Sequence, residues 1–146
     1  FNVYGPGQRA DHDYAAVIPK FLTAALEGHK LTIHGDGTQS RDFTYVDTVC
    51  EALLHAVEKR VSSETPINLA FGTNTTLLKL VDIIRTQVGN ELEIEYVSPR
   101  TGDVKASQAN PERMRGLFSE LAPIGLEAGV KHTLHWLRKK SVDHNG

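Results

Sequence analysis

Apolar residues recur along the chain at two spacings, one helical and one alternating, and the switches between them mark the expected elements. Val17, Phe21, Leu22, Ala25 and Leu26 fall at helical spacing, with Pro19 tolerable in a first turn and Gly28 placed as a stop, so a helix of about 11 residues is expected. Residues 31–34 alternate as a half-buried strand does. Gly35-Asp36-Gly37 then turns the chain, and β-branched and aromatic residues return over 42–46, a pattern that reads by default as two strands around a hairpin tip. Asp47 stands where an N-cap is wanted, ahead of the stripe Val49, Cys50, Leu53, Leu54 and Val57, which predicts a second helix to about Arg60 with Cys50 on its core face. Residues 67–70 read as a strand, and Leu77, Val81, Ile84 and Val88 as a third helix closed by Gly89. One more strand is expected over 93–97, then a short helix opened by Asn110-Pro111. A last amphipathic helix runs through Leu126, Val130, Leu134 and Leu137 to the basic Arg138-Lys139-Lys140, with 141–146 as a tail. At the other end, residues 1–4 are short and β-prone and are stopped by Gly5-Pro6-Gly7-Gln8. Strands alternating with helices predict an α/β fold, yet the strands are so few and short that part of a sheet is expected to lie elsewhere.

Composition narrows the function. The chain has 146 residues, enough for one ordinary domain, and its 16 Lys and Arg against 18 Asp and Glu give a net charge of -2 with no basic block, which argues against nucleic-acid binding. No apolar run approaches the roughly 18 residues of a membrane span, no signal-peptide pattern is present, and the single Cys50 has no internal disulfide partner. A reducing, cytoplasmic location is expected. The sequence opens without Met directly on a strand-like stretch, as a piece cut from a longer polypeptide would.

Several candidate motifs are better read as ordinary structure. Gly5-Pro6-Gly7-Gln8-Arg9-Ala10 has the letters of a dinucleotide loop, but Asp11-His12-Asp13 continues as polar loop where a phosphate cradle must enter a helix. There is no Gly-x-Ser-x-Gly elbow. His132 and His135 lack a clustered carboxylate or thiol to complete a metal set. Two arginines remain: Arg41 opens a strand after a Gly-rich turn, and Arg100 lies in the loop with Thr101-Gly102-Asp103. Guanidinium forks present paired donors to phosphate oxygens at any working pH. Surface ion pairs, Arg41 with Asp42 and Arg100 with Asp103, are the simpler alternative.

The order of motifs is informative in another way. Phe1-Asn2-Val3-Tyr4-Gly5-Pro6-Gly7-Gln8, Val17-Ile18-Pro19-Lys20-Phe21, the run from Leu31 through Gly35-Asp36-Gly37-Thr38-Gln39-Ser40-Arg41-Asp42-Phe43 to Asp47, Ile67-Asn68-Leu69-Ala70-Phe71-Gly72 and Pro99-Arg100-Thr101-Gly102-Asp103 follow one another along nearly the whole chain. Together they resemble the second half of the extended short-chain dehydrogenase/reductase family, the NAD-dependent nucleotide-sugar epimerases and dehydratases, with UDP-glucose 4-epimerase-like members nearest. The resemblance implies that residues 1–140 are the C-terminal, substrate-binding part of such an enzyme, and that residues 1–3 and 67–70 complete a Rossmann sheet whose remainder, with most of the NAD site, belongs to an N-terminal domain. It implies a UDP- or dTDP-sugar as substrate, hydride transfer at the sugar C4, and a homodimeric parent with no nucleic-acid or membrane partner. By the same resemblance Asn2, Arg41 and Arg100 hold the diphosphate, and Asp103 contacts the ribose or positions Arg100. Thr32 and His34 line the base, with His34 where the family often has an aromatic, and Ala16 and Val17 offer contacts to the uracil or thymine. Thr48 stands where the family commonly repeats an Asp. No Tyr here is followed four residues later by Lys, so the family's catalytic pair is absent and no catalytic residue is assigned. A binding or regulatory module of the same ancestry, without catalysis, is the alternative.

Overall fold

Seven short strands and five helices alternate among residues 2–11 and 15–143, the parts of the chain that the computed structural model describes. In chain order they are β1 (Val3–Tyr4), α1 (Val17–Glu27), β2 (Leu31–His34), β3 (Ser40–Arg41), β4 (Thr44–Tyr45), α2 (Val46–Glu58), β5 (Thr75–Thr76), α3 (Leu77–Val88), β6 (Ile94–Val97), β7 (Ala106–Ser107), α4 (Glu112–Leu117) and α5 (Leu126–Asp143). The architecture is mixed α/β. Its strands fall into small sheets: β1 lies parallel to β4, β2 parallel to β6, and β3 sits between antiparallel β5 and parallel β7.

The periodic helices form where expected because each buries its apolar stripe in one cluster. Ile18 and Leu22 of α1, Leu80 and Ile84 of α3, and Val130 and Leu134 of α5 meet around Leu31 and Ile33 of β2. Each such aliphatic side chain contributes about 1.5–3 kcal/mol by leaving water. Gly28 and Gly89 close α1 and α3 in the left-handed conformation. The last helix continues to Asp143, into the segment read as a tail.

Three expectations are corrected. Gly35-Asp36-Gly37 is not a hairpin tip, since β2 pairs with β6 and β3 with β5 and β7. The chain leaves β2 to cap α3 instead: the Gly37 and Gln39 carbonyls accept the first-turn N–H groups of Leu78 and Leu77 at 3.2 and 3.1 Å. Residues 67–70 form no strand, because among the described residues no neighbouring backbone offers a ladder. Their side chains still alternate, with Ile67 and Leu69 packed on a second cluster around Ala52, Phe71 and Met114. Helix α2 begins at Val46 rather than behind an Asp47 cap, and it is turned around. Its inward face carries the small side chains Thr48 and Ala52, and the Thr48 hydroxyl accepts the Ile124 N–H at 3.1 Å. The apolar stripe points outward: Leu53, Leu54 and Val57 are 63%, 55% and 75% exposed, and Cys50 is exposed rather than in the core.

Two local devices hold the strands in place. Asp42, 3% exposed, directs its carboxylate inward, where it accepts the Gly72 N–H at 2.9 Å, the Thr73 N–H at 3.2 Å and the Thr73 hydroxyl. At Gly129 the absence of a side chain lets α5 lie against the β1/β4 pair. A Cβ there would collide with the Tyr4 hydroxyl and sit 2.8 Å from the Tyr45 ring. The Tyr4 hydroxyl donates to the Leu126 carbonyl at 3.3 Å, and burial, with Tyr45 and Glu127 nearby, pushes its phenol well above the ordinary range, so it keeps its proton. Gly129→Ala is expected to destabilise the chain by about 1–3 kcal/mol through overpacking, despite a helix-propensity gain of up to about 1 kcal/mol. Gly116→Ala in α4, where a Cβ meets nothing within 4 Å, is the control and should be neutral or stabilising; urea denaturation reads both. Asp42→Ala is expected to cost about 1–3 kcal/mol in the same assay for each buried donor it orphans.

Candidate functional site: a cationic cleft at the ends of β2 and β6

Parallel pairing of β2 with β6 in the register His34↔Val97 sets the C-terminal ends of both strands side by side. Open α/β sheets bind ligands at that edge. The chain beyond β6 passes through the Arg100 loop and returns as β7 beside β3, with Arg41 opposite Ser107. Two arginines far apart in sequence are thereby brought to one hollow of about 680 Å³, bounded on its other side by the start of α1 and by Asn2.

All eight residues singled out from the sequence, Asn2, Ala16, Val17, Thr32, His34, Arg41, Arg100 and Asp103, line this cleft. Asn2 has a left-handed backbone, φ 51, a conformation that asparagine tolerates better than most residues, and its carbonyl accepts the Thr44 N–H at 3.2 Å. Ala16 precedes α1 in extended conformation and gives the helix no side-chain cap. The His34 ring places Nδ1 3.2 Å from the Ser98 carbonyl, an atom that only accepts, so Nδ1 carries the proton in this arrangement and Nε2 of the neutral ring is left as an acceptor. The side chain of Gln39 donates to the His34 carbonyl and ties the end of β2 to the approach to β3.

Neither of the simple surface pairs forms. Asp42 is committed to Gly72 and Thr73, and Asp103 pairs with Arg41 instead of Arg100. This corrects the expectation that Asp103 positions Arg100: what it contacts from that residue is the backbone, through its N–H to the Arg100 carbonyl at 3.1 Å. The Arg41 guanidinium also donates from Nη1 to the Ser40 and Val104 carbonyls, at 2.8 and 2.7 Å. Arg100 is exposed, and among the described residues its guanidinium has no ion pair.

Sequence reasoning missed two cleft lysines, Lys20 and Lys30. Lys20 was discoverable, since it lies three residues after Val17 and so on the same face of α1. Lys30, bonded to Glu93 at 3.2 Å, carries no such signal. The described lining thus holds four cationic side chains, Lys20, Lys30, Arg41 and Arg100, against the single carboxylate of Asp103, on a chain whose net charge is -2. Lys30 is paired with Glu93 and Arg41 with Asp103, while the exposed Arg100 guanidinium, without an ion pair among the described residues, can meet a small anion.

Other chemistries find less here. Among the described residues no three His, Cys, Asp or Glu side chains cluster as metal ligands, and no helix is long and apolar enough to cross a membrane. The segment from Gly5 closes as a turn, with the Gln8 N–H 3.3 Å from the Gly5 carbonyl, and the first helix starts only at Val17.

Residues 1–70 match the model of the NAD dependent epimerase/dehydratase family. The UDP-N-acetyl-alpha-D-glucosaminuronate decarboxylase of Bacillus cytotoxicus is 32% identical over 150 residues, an alignment that covers 98% of this chain and 46% of that protein. The crystal structure of UDP-glucose 4-epimerase with UDP-glucose from Thermotoga maritima superposes with a TM-score of 0.88 at 33% identity, over 96% of this chain and 44% of that one. A variant of the Bacillus cereus UDP-glucuronic acid 4-epimerase, in complex with UDP-4-deoxy-4-fluoro-glucuronic acid and NAD, superposes with a TM-score of 0.84 at 27% identity, over 96% and 44%. The chain spans less than half the length of each of these relatives. A family model over residues 1–70, and the same α/β arrangement across nearly the whole chain, point the same way: the protein is similar to the NAD-dependent epimerase/dehydratase family along nearly its whole length.

Proposed function

We propose that the cleft holds the nucleoside diphosphate of a UDP- or dTDP-sugar, and that the chain is the substrate-binding, C-terminal half of an enzyme that carries out NAD-dependent hydride transfer at the sugar C4. The observation that carries this reading is the convergence of Arg41 and Arg100 on one hollow that also contains Asn2. A diphosphate is a compact anion, and a few fixed guanidinium and amide donors satisfy it without a broad positive surface. Thr32 and His34 then line the nucleobase, and the chain entering α1 at Ala16 and Val17 offers it backbone contacts. Relatives that act on UDP-sugars, by 4-epimerisation in one case and decarboxylation in another, support the substrate class.

In this mechanism the chain's own residues bind and orient. Contacts to the diphosphate handle fix the sugar's position, and that binding energy serves the reaction at a carbon the handle does not touch. When bound by the remainder of the enzyme, NAD would supply the hydride chemistry. Proton transfer falls to that remainder as well, because this sequence has no Tyr with Lys four residues on, and the Tyr4 hydroxyl, at the cleft wall, is committed to Leu126.

The exposed stripe of α2 fits the same reading. Its occupant is the NAD-carrying α/β portion of the longer family members, which would cover Leu53, Leu54 and Val57 and supply a ladder for residues 67–70. The 146-residue chain alone is accordingly expected to self-associate, with Leu53→Asp and Val57→Asp each lowering the apparent mass in sedimentation velocity. A monomeric chain unaffected by either change would count against it. For the cleft, calorimetric titration is expected to show UDP or dTDP binding, weakened about 10- to 100-fold by Arg41→Ala or Arg100→Ala, the loss of roughly 1.5–3 kcal/mol of charge-assisted hydrogen bonding. Wild-type affinity in both variants would sink the diphosphate assignment.

A further inference from the structure

Lys30 stands in the short connection between Gly28, which closes α1, and the start of β2, a place where a charged side chain is ordinarily left to water. It lines the cleft nonetheless. The Leu31 N–H bonds the Glu93 carbonyl at 2.8 Å, so the pairing of β2 with β6 carries back past Leu31 to the Lys30 peptide. Leu31 and Ile33 are buried in the core, Thr32 and His34 fall on the opposite face of the strand, and Lys30 is the next member of that second series. All three members of the series line the same hollow.

The series has a direction. At its C-terminal end the His34 ring meets the Ser98 carbonyl, and the chain beyond Ser98 goes on to Arg100. Lys30 marks the other end, roughly 13 Å away along a strand that rises about 3.3 Å per residue. A nucleotide held by its diphosphate at the arginine end, with its base along Thr32 and His34, turns the far edge of that base toward Lys30. In a pyrimidine the ring position opposite the ribose bond is C4. Uracil and thymine carry a carbonyl oxygen there, which accepts a hydrogen bond, whereas cytosine carries an amino group, which donates. An ammonium has three donors and no acceptor, so it joins the first two bases and opposes the third.

The ion pair of Lys30 with Glu93, at 3.2 Å, leaves this contact open. Its side chains are 63% (Lys30) and 75% (Glu93) exposed, a pair of that kind contributes little, and it takes one of the three donors. We propose that Lys30 reads the base: its ammonium donates to O4 of uracil or thymine and selects against cytosine. The proposal rests on the nucleoside-diphosphate reading of the cleft for the direction of the ligand, and on the place of Lys30 in the strand series for the contact.

Titrating the 146-residue chain with UDP, CDP and inorganic pyrophosphate tests it. The wild-type chain is expected to prefer UDP to CDP by about ten-fold. Lys30→Met, which keeps the apolar stem, is expected to weaken UDP by about three- to ten-fold, the effect of one charge-assisted hydrogen bond reduced by exposure, and to leave CDP and pyrophosphate within about two-fold. Lys30→Arg should keep most of the preference. Glu93→Gln, which removes the ion pair and leaves the ammonium, should keep it too; its loss there would assign the reading to the carboxylate and overturn the proposal. An equal fall for all three titrants in Lys30→Met would also overturn it, since Lys30 would then attract anions without reading a base. Pyrophosphate binding with no preference between UDP and CDP would leave the diphosphate reading standing and refute base selection. If none of the three binds, the nucleotide reading fails and base selection falls with it.

Discussion

The backbone ladder between β3 and β7 governs the cleft. Four residues, Ser40 and Arg41 opposite Ala106 and Ser107, tie the strand after the Gly-rich loop to the chain returning from β6. Alternation along the first of these strands divides the labour. Ser40 is buried, Arg41 reaches toward the cleft, and Asp42 turns inward to fasten the Gly72–Thr73 backbone ahead of β5. Adjacent residues of opposite charge thus serve opposite ends: Asp42 satisfies the Gly72 and Thr73 donors, and Arg41 faces the cleft. Had the two paired with each other, neither task would be met.

How far the sequence announces all this depends on whether an element's partner is local. The helices α1, α3 and α5 were legible because each carries a full apolar stripe that closes within the chain, with glycines at the ends of the first two. Strand β2 was legible from alternation and β6 as one more strand, but their pairing was not, since period alone says nothing about which strand lies alongside. The hairpin reading of Gly35-Asp36-Gly37 failed for that reason: β2 pairs with β6, and the Gly37 and Gln39 carbonyls cap α3. In α2 the stripe was located correctly and oriented wrongly. A stripe marks a face that wants cover, and the small residues Thr48 and Ala52 on the opposite face are the ones this chain covers.

The candidate site shows the same division. Its eight residues were named through motif order rather than spacing, and the structure gathers them around one hollow. Their mutual contacts were not legible. Asp103 sits next in sequence to the Arg100 turn, so pairing with Arg100 is the natural expectation, while the β3–β7 ladder that delivers it to Arg41 is a tertiary fact. Net charge was equally blind to the site, because acidic residues elsewhere mask a cluster of cations at one edge.

The missing side chain at Gly129 reaches further than local packing. It lets the C-terminal helix lie flush on Tyr4 and Tyr45, and Tyr4 is two residues from the left-handed asparagine at the cleft wall. The final helix is consequently a strut bearing on the strand that forms one wall of the cleft, and thickening that contact would press on the wall from a distance, with no cleft residue altered.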